Sequence, residues 1–207
     1  HKPQFSLRDF WTVNDKFYVS NILYASIGHG GGTSISGSNY DANGQYNLQD
    51  IYDGNTSGPF SVDPTYSDTE RKSGNYLKSS INNHFWYGGL STLNYQATDE
   101  ISLSGGLDLR YYKGQHYVEI YDLLGGDYAI ETDDKTQKSS VKREGNIISY
   151  HDDGIVKWSG IFSQAEYSNG MLSAFFNISG SNSAYKRLDY FRKKDLVLAD
   201  TTIREAL

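Results

Sequence analysis

The 207-residue sequence predicts an all-β fold, an antiparallel sheet of about six strands, and three observations lead there. Leu, Ile, Val and Phe are sparse while Tyr reaches 18 and Gly 21 with only 3 Pro, so side-chain bulk comes from aromatic rings more than from aliphatic chains. That bias favours strands. Segments without Asp, Glu, Lys or Arg recur at Phe17 to Gly30, His84 to Ala97 and Met171 to Tyr185. Two stretches alternate apolar and polar residues with period two, as a half-exposed strand does.

In chain order, the first strand is expected over Phe5 to Thr12 and the second over Phe17 to Gly30, where Asn21 interrupts the row Phe17, Val19, Leu23, Ala25 and Ile27. The third covers Phe85 to Ala97 and the fifth Val156 to Tyr167; their faces are not assigned by pattern. The fourth is the cleanest. It sets Ile101, Leu103, Gly105, Leu107, Leu109 and Tyr111 against Ser102, Ser104, Gly106, Asp108, Arg110 and Tyr112. The sixth sets Leu172, Ala174, Phe176, Ile178 and Gly180 against Ser173, Phe175, Asn177, Ser179 and Ser181. Turns near Asn14 to Lys16, Thr98 to Glu100 and Asn169 to Gly170 close three hairpins. Asn169-Gly170 is the strongest signal, because Asn-Gly accepts the positive φ of a primed turn.

Residues 31–82 and 113–155 separate the hairpins and hold most of the charge, with six acidic and three basic side chains in one and nine and five in the other. Both far exceed the ~12 to 15 residues usual for a structureless loop. The order short, long, short, long, short matches a transmembrane β-barrel, whose short turns face the periplasm and long loops face outward. No apolar run approaches the ~18 residues of a membrane helix, so strands would do the crossing. A mean hydropathy of -0.61 is compatible with alternating strands.

Composition also narrows the chemistry. With no Cys there is no disulfide scaffold, thiolate metal site or thiol nucleophile. A net charge of -6 argues against nucleic acid as a partner, since phosphate tracking needs clustered Lys and Arg. Asp133-Asp134 and Asp152-Asp153 are adjacent carboxylates, but neighbours on a strand point opposite ways and in a loop they solvate it, so no catalytic pair and no enzyme activity is expected. His116 and Glu119 have the spacing of helical metal ligands, yet Tyr117, Val118 and Ile120 favour an extended segment in which the two face opposite sides, so satisfied polar groups at a strand exit are expected instead of a metal site. Asp41 to Asn47 alternates oxygen ligands but places Gly44 fourth rather than sixth, which favours an Asn-Gly turn over a calcium loop. Thr202 and Glu205 have capping-box spacing. Neither cofactor nor metal is implied.

Several runs resemble a known family. Lys2-Pro3-Gln4-Phe5-Ser6-Leu7, Tyr24-Ala25-Ser26-Ile27-Gly28-His29-Gly30-Gly31-Gly32, Ser104-Gly105-Gly106-Leu107-Asp108-Leu109-Arg110-Tyr111-Tyr112-Lys113-Gly114, Asp122-Leu123-Leu124-Gly125-Gly126-Asp127-Tyr128 and Tyr190-Phe191-Arg192-Lys193-Lys194-Asp195 resemble the barrel region of TonB-dependent outer-membrane receptors of the Bacteroidetes type. The likeness spans residues 1–207 as a partial barrel domain. It implies about six strands of a larger barrel of about 22 strands with a plugged lumen. The plug domain and TonB box are not among these residues, so the chain is expected to belong to a longer polypeptide.

The resemblance further implies active import across the bacterial outer membrane of a scarce nutrient, a siderophore, cobalamin, glycan or peptide, with energy from TonB. Implied partners are the rest of the barrel and its plug, TonB through regions outside this segment, outer-membrane lipid and a surface lipoprotein. Two other functions fit the strands and loops: a surface β domain that binds glycans without transport, and a passive porin.

Cargo-binding candidates are Asp108, Arg110 and Tyr112 on the polar face of the fourth strand and Tyr46 and Tyr52 in the first long loop. Alternation places Arg110 as a buried group beside Asp108, with an ion pair as the default. Tyr40, Tyr46, Tyr52, Tyr66, Tyr76, Tyr128 and Tyr150 are read as loop rings that either pack the loops or meet a ligand. Phe10, Trp11, Phe17, Tyr18, Tyr95 and Tyr167 flank the short turns as a membrane-interface girdle would.

Overall fold

A computed structural model describes residues 1–59, 61–192, 197–198 and 201–202. Strand accounts for 66% of the chain and helix for 5%. The elements are β1 (Gln4–Asn14), β2 (Phe17–Ile35), α1 (Leu48–Ser57), β3 (Val62–Asp63), β4 (Ser67–Arg71), β5 (Leu77–Gln96), β6 (Ile101–Asp122), β7 (Ala129–Ile130), β8 (Val141–Lys142), β9 (Ile147–Ser168), β10 (Ser173–Asp189), β11 (Val197–Leu198) and β12 (Thr201–Thr202). Six of them form one antiparallel sheet in the order β1-β2-β5-β6-β9-β10. Each strand pairs with the one before it, so the sheet is a meander of three hairpins. Among the described residues it does not close into a barrel.

Side-chain oxygens hold the three short turns. Asn14 Oδ1 accepts from the Lys16 amide, and Thr98 Oγ1 accepts from the amides of Glu100 and Ile101. Asn169 Oδ1 accepts from both Met171 and Leu172, and Gly170 takes φ 85°. This corrects the two-residue primed turn expected at Asn169-Gly170. Asn169 keeps negative φ, because its side chain satisfies amides two and three residues on and thereby sets a longer loop.

The long connections are shorter than their charge suggests. Strands β2 and β5 run into 31–82 as far as Ile35 and from Leu77, and β6 and β9 claim Lys113 to Asp122 and Ile147 to Ile155. The true connections are 36–76 and 123–146. Cross-strand polar pairs make the charged stretches compatible with a ladder. His116 Nδ1 lies 2.6 Å from Asn82 Oδ1, Ser80 Oγ lies 3.1 Å from the Tyr150 hydroxyl, and Arg187 donates to Asp152 at 3.2 Å.

Two compact units share these strands: His1–Gly28, His84–Gly114 and Gly154–Lys186 form the first, and His29–Asn83, Gln115–Asp153 and Arg187–Leu207 the second. Every buried hydrophobic side chain among the described residues belongs to the second: Ile35, Ile51, Tyr76, Val118, Ile120, Leu123, Tyr128, Ala129, Ile148 and Phe191. Helix α1 starts at Asn47, whose Oδ1 accepts from the Asp50 amide, and buries Ile51 and Asn55. Asn55 ties the unit together. Its Nδ2 donates to the carbonyls of Asn75, Leu123 and Leu124, and its Oδ1 accepts from Gly74. The Tyr76 hydroxyl donates to Glu131, and burial together with that carboxylate holds its pKa well above the ordinary phenol range.

Candidate functional site

The polar face of the first unit gathers three of the five predicted site residues. Arg110 Nη2 donates to Asp108 Oδ2 at 2.5 Å, and its Nε lies 3.1 and 3.2 Å from the two carboxylate oxygens. On the neighbouring strand Trp158 receives the guanidinium 4.6 Å from its ring centroid, within cation–π range. The expectation of a buried Arg110 is corrected: its side chain is 46% exposed against 15% for Asp108. A single indole covers the guanidinium, and no layer lies beyond it to complete the burial. The Tyr112 hydroxyl sits 2.5 Å from His84 Nδ1, with Trp86 edge-on to its ring at 6.2 Å.

Glycines let further rings lie flat on this face. A Cβ at Gly88 would stand 2.2 Å from the Tyr24 ring, and one at Gly106 2.4 Å from the Phe162 ring, so only the bare backbone admits either aromatic. Tyr24 and Trp86 also line a cavity of ≈ 240 Å³ with Lys2, Gln4 and Ser26. Sequence reasoning missed Tyr24, Trp86 and Trp158. The signal available was glycine inside predicted strands, which marks a close approach from a neighbouring strand.

The opposite face is apolar and exposed. Leu23, Leu93, Leu103, Leu107, Leu109 and Ile161 all lie open, at 58, 45, 40, 46, 47 and 65% of their surface. Phe17 meets Tyr95 edge-on at 6.3 Å, and Tyr87 lies against Tyr111 at the same distance. One polar chain crosses this face: Asp9 accepts from Trp11 Nε1 and Asn21 Nδ2, and Asn21 Oδ1 accepts from Ser91. The register pairs Phe10 with Ser20 and Thr12 with Tyr18, which puts Phe10 and Tyr18 on the polar face with Tyr24, stacked at 6.4 Å. Those two therefore leave the expected girdle, because alternation separates them from their neighbours Trp11 and Phe17. Strand β10 ends the sheet, so both its faces are open, Phe175 and Phe176 alike.

Tyr46 and Tyr52 belong to the second unit. Tyr46 stacks on Tyr40 at 5.0 Å across a turn in which Asp41 Oδ1 accepts from the amides of Asn43 and Gln45. The Gln45 amide is the first of the bonds that hold the Asp41 carboxyl below the usual range. This is the Asn-Gly turn expected, with Gly44 at φ 77°. Tyr52, exposed on α1, packs on Gly125, where a Cβ would stand 2.6 Å from its ring. The predicted loop tyrosines divide: Tyr76 and Tyr128 are core, whereas Tyr40, Tyr46, Tyr52 and Tyr66 are exposed. Tyr150 lies in β9 rather than in a loop.

Asp152 and Asp153 separate as strand geometry requires, whereas Asp133 and Asp134 lie in the connection between β7 and β8. Asp152 meets Arg187, and Asp153 accepts from the Tyr190 hydroxyl at 2.6 Å, a bond that pushes the Tyr190 phenol up to about 12. Asp134 lies 3.7 Å from Lys142. His116 Nδ1 meets Asn82, and His116 and Glu119 face opposite sides of β6, as alternation in an extended segment requires. No cluster of three or more His, Asp or Glu able to hold a metal occurs among the described residues. Thr202 lies in β12, and its capping partner Glu205 falls outside the described residues. No protein-family model matches the chain, and neither does any curated protein or any solved structure.

Proposed function

We propose that the chain is a wall segment, about six strands of about 22, of an outer-membrane β-barrel receptor that captures a scarce nutrient outside the cell and imports it with TonB energy coupling. The observation that supports this best is the first unit's lack of any buried hydrophobic side chain while Leu23, Leu93, Leu103, Leu107, Leu109 and Ile161 stand exposed on one face. Such a face needs an apolar surround. Ring spacing supports a bilayer as that surround: Tyr95 and Tyr87 lie eight residues apart on β5, which is about 26 Å of strand and about 20 Å of depth at a tilt of ~40°. That approaches the apolar band of barrel proteins, about 25 Å tall.

The polar face then lines the lumen, with Asp108, Arg110, Tyr112, Tyr24 and Trp86 available to cargo, and connections 36–76 and 123–146 reach outward. The unpaired edges of β1 and β10 pair with further strands of the same barrel, since an open edge in lipid costs several kcal/mol per unsatisfied group. The test uses the full-length protein in cells. It should fractionate with the outer membrane, run faster unheated than boiled in SDS gels, and support uptake that stops when TonB is removed. Deleting Asp41 to Asp68 should impair uptake and leave insertion intact. Recovery of the unheated protein from the soluble fraction would refute the barrel, and uptake indifferent to TonB would refute the coupling.

A further inference from the structure

On the apolar face of the first unit, a shallow depression of ≈ 640 Å³ is bordered by Leu23, Tyr87, Gly89, Leu109, Tyr111 and Lys157. Its floor is thin because residue 89 is glycine: a Cβ there would stand 3.1 Å from Leu23 Cδ2, narrowing the depression against that wall. Lys157 is the anomaly. It is a cation on a face of leucine, isoleucine and tyrosine, exposed, with no ion-pair or hydrogen-bond partner among the described residues. Neighbouring Trp158 turns to the other face to meet Arg110, so alternation directs Lys157 to the apolar side. Two phenol donors, Tyr87 and Tyr111, border the same depression, their rings 6.3 Å apart.

We propose that this depression binds an anionic lipid, with Lys157 and the phenol hydroxyls of Tyr87 and Tyr111 on a headgroup phosphate and an acyl chain along Leu23, Gly89 and Leu109. The inference rests on the barrel reading above and names one lipid contact of that wall. Depth agrees with the chemistry. Lys157 stands ten residues along β9 from Tyr167, about 33 Å of strand and about 25 Å of depth at a tilt of ~40°, which brings it to the outer boundary of the apolar band. An unpaired ammonium at that level gains a charge-assisted bond from phosphate, whereas the leucines beside it prefer hydrocarbon. The lipid committed to is the phosphorylated glycolipid of the outer leaflet, with lipid A as the probe.

The experiment takes the full-length protein in detergent and follows lipid A retention by native mass spectrometry. Lys157→Gln should weaken retention about tenfold, the loss of one charge-assisted bond, and Lys157→Arg should restore it. Dephosphorylated lipid A should bind the unmodified protein about as weakly as lipid A binds Lys157→Gln, and millimolar inorganic phosphate should not displace the lipid. Equal retention by Lys157→Gln and the unmodified protein, or equal binding of the two lipids, overturns the proposal. Heat-dependent gel mobility, read on the same samples, separates the two readings: its presence with failed lipid selectivity removes only the lipid site, and its absence removes the barrel and the lipid site together.

Discussion

The unit made of His29–Asn83, Gln115–Asp153 and Arg187–Leu207 buries Tyr76, Val118, Ile120, Leu123, Ala129 and Ile148 in one cluster, whereas the unit made of His1–Gly28, His84–Gly114 and Gly154–Lys186 buries no hydrophobic side chain and leaves its leucines open. Both draw on the same sheet: β2, β5, β6, β9 and β10 contribute to each, and β1 to the first alone. The difference teaches that a sheet can be completed in two ways: by folding its own connections into a core, as α1 and the β3–β4 and β7–β8 ribbons do with Asn55 as their tie, or by leaving a face for an external apolar phase. The first is a water-stable solution driven by hydrophobic burial. The second relies on ladder hydrogen bonds, and in water its exposed patch would be an association surface.

The comparison breaks most readily in the core. Ile120 is 1% exposed, so Ile120→Ala should cost about 2 to 5 kcal/mol and expose connection 36–76 to protease, measured by pulse proteolysis of the full-length protein. A loss below the size of a surface substitution would mean that the cluster is not the second unit's source of stability.

Next in size is a test of the open face. Leu107→Arg should cost about 2 to 4 kcal/mol in bilayer refolding if that face meets lipid near the midplane, with Ser104→Arg on the polar face much milder. In water an exposed leucine at this position would tolerate arginine within ~0.5 kcal/mol. Equal effects of the two substitutions would reject the assignment of faces.

The smallest expected effect sharpens the second unit's polar side. With its phenol raised to about 12 by Asp153, Tyr190 is held neutral in the fold, while the unfolded chain ionises near ~10. Its contribution is fully present below pH ~10 and is lost as pH rises through about 12. Tyrosinate absorbance should show late-titrating phenols, Tyr76 among them, whose amplitude falls by one tyrosine in Tyr190→Phe. An undiminished late amplitude in that variant would assign the step elsewhere.

Much of the sheet was legible because alternation is a local signal. The parity of Leu103, Leu107 and Leu109 against Ser104, Asp108 and Arg110 follows from the pleat alone, and the turn at Asn14 to Lys16 from its polar chemistry. Charge misleads at the strand ends: Lys113, Asp152 and Asp153 look like loop residues, yet pairing with distant segments keeps them in ladders. The candidate site was half legible. Asp108 and Arg110 sit two residues apart on one face, so their ion pair is a neighbour effect, whereas Trp158 over Arg110 and Tyr24 over Gly88 join strands far apart in sequence.

By itself the sequence determined the six strands of the main sheet, the sense of their hairpins and which residues share a face in the fourth strand, because period two and turn chemistry act within a few residues. Only the tertiary structure decided which apolar residues become core. Val118 and Ile120 continue the face of Asp108 and Arg110 along one strand, and they are buried while Arg110 stays open, since burial depends on whether a distant connection packs over that stretch of the sheet. Tyr76 and Tyr128 went inward and Tyr46 and Tyr52 stayed out for the same reason: a ring is buried by what surrounds it, and its surroundings come from other parts of the chain.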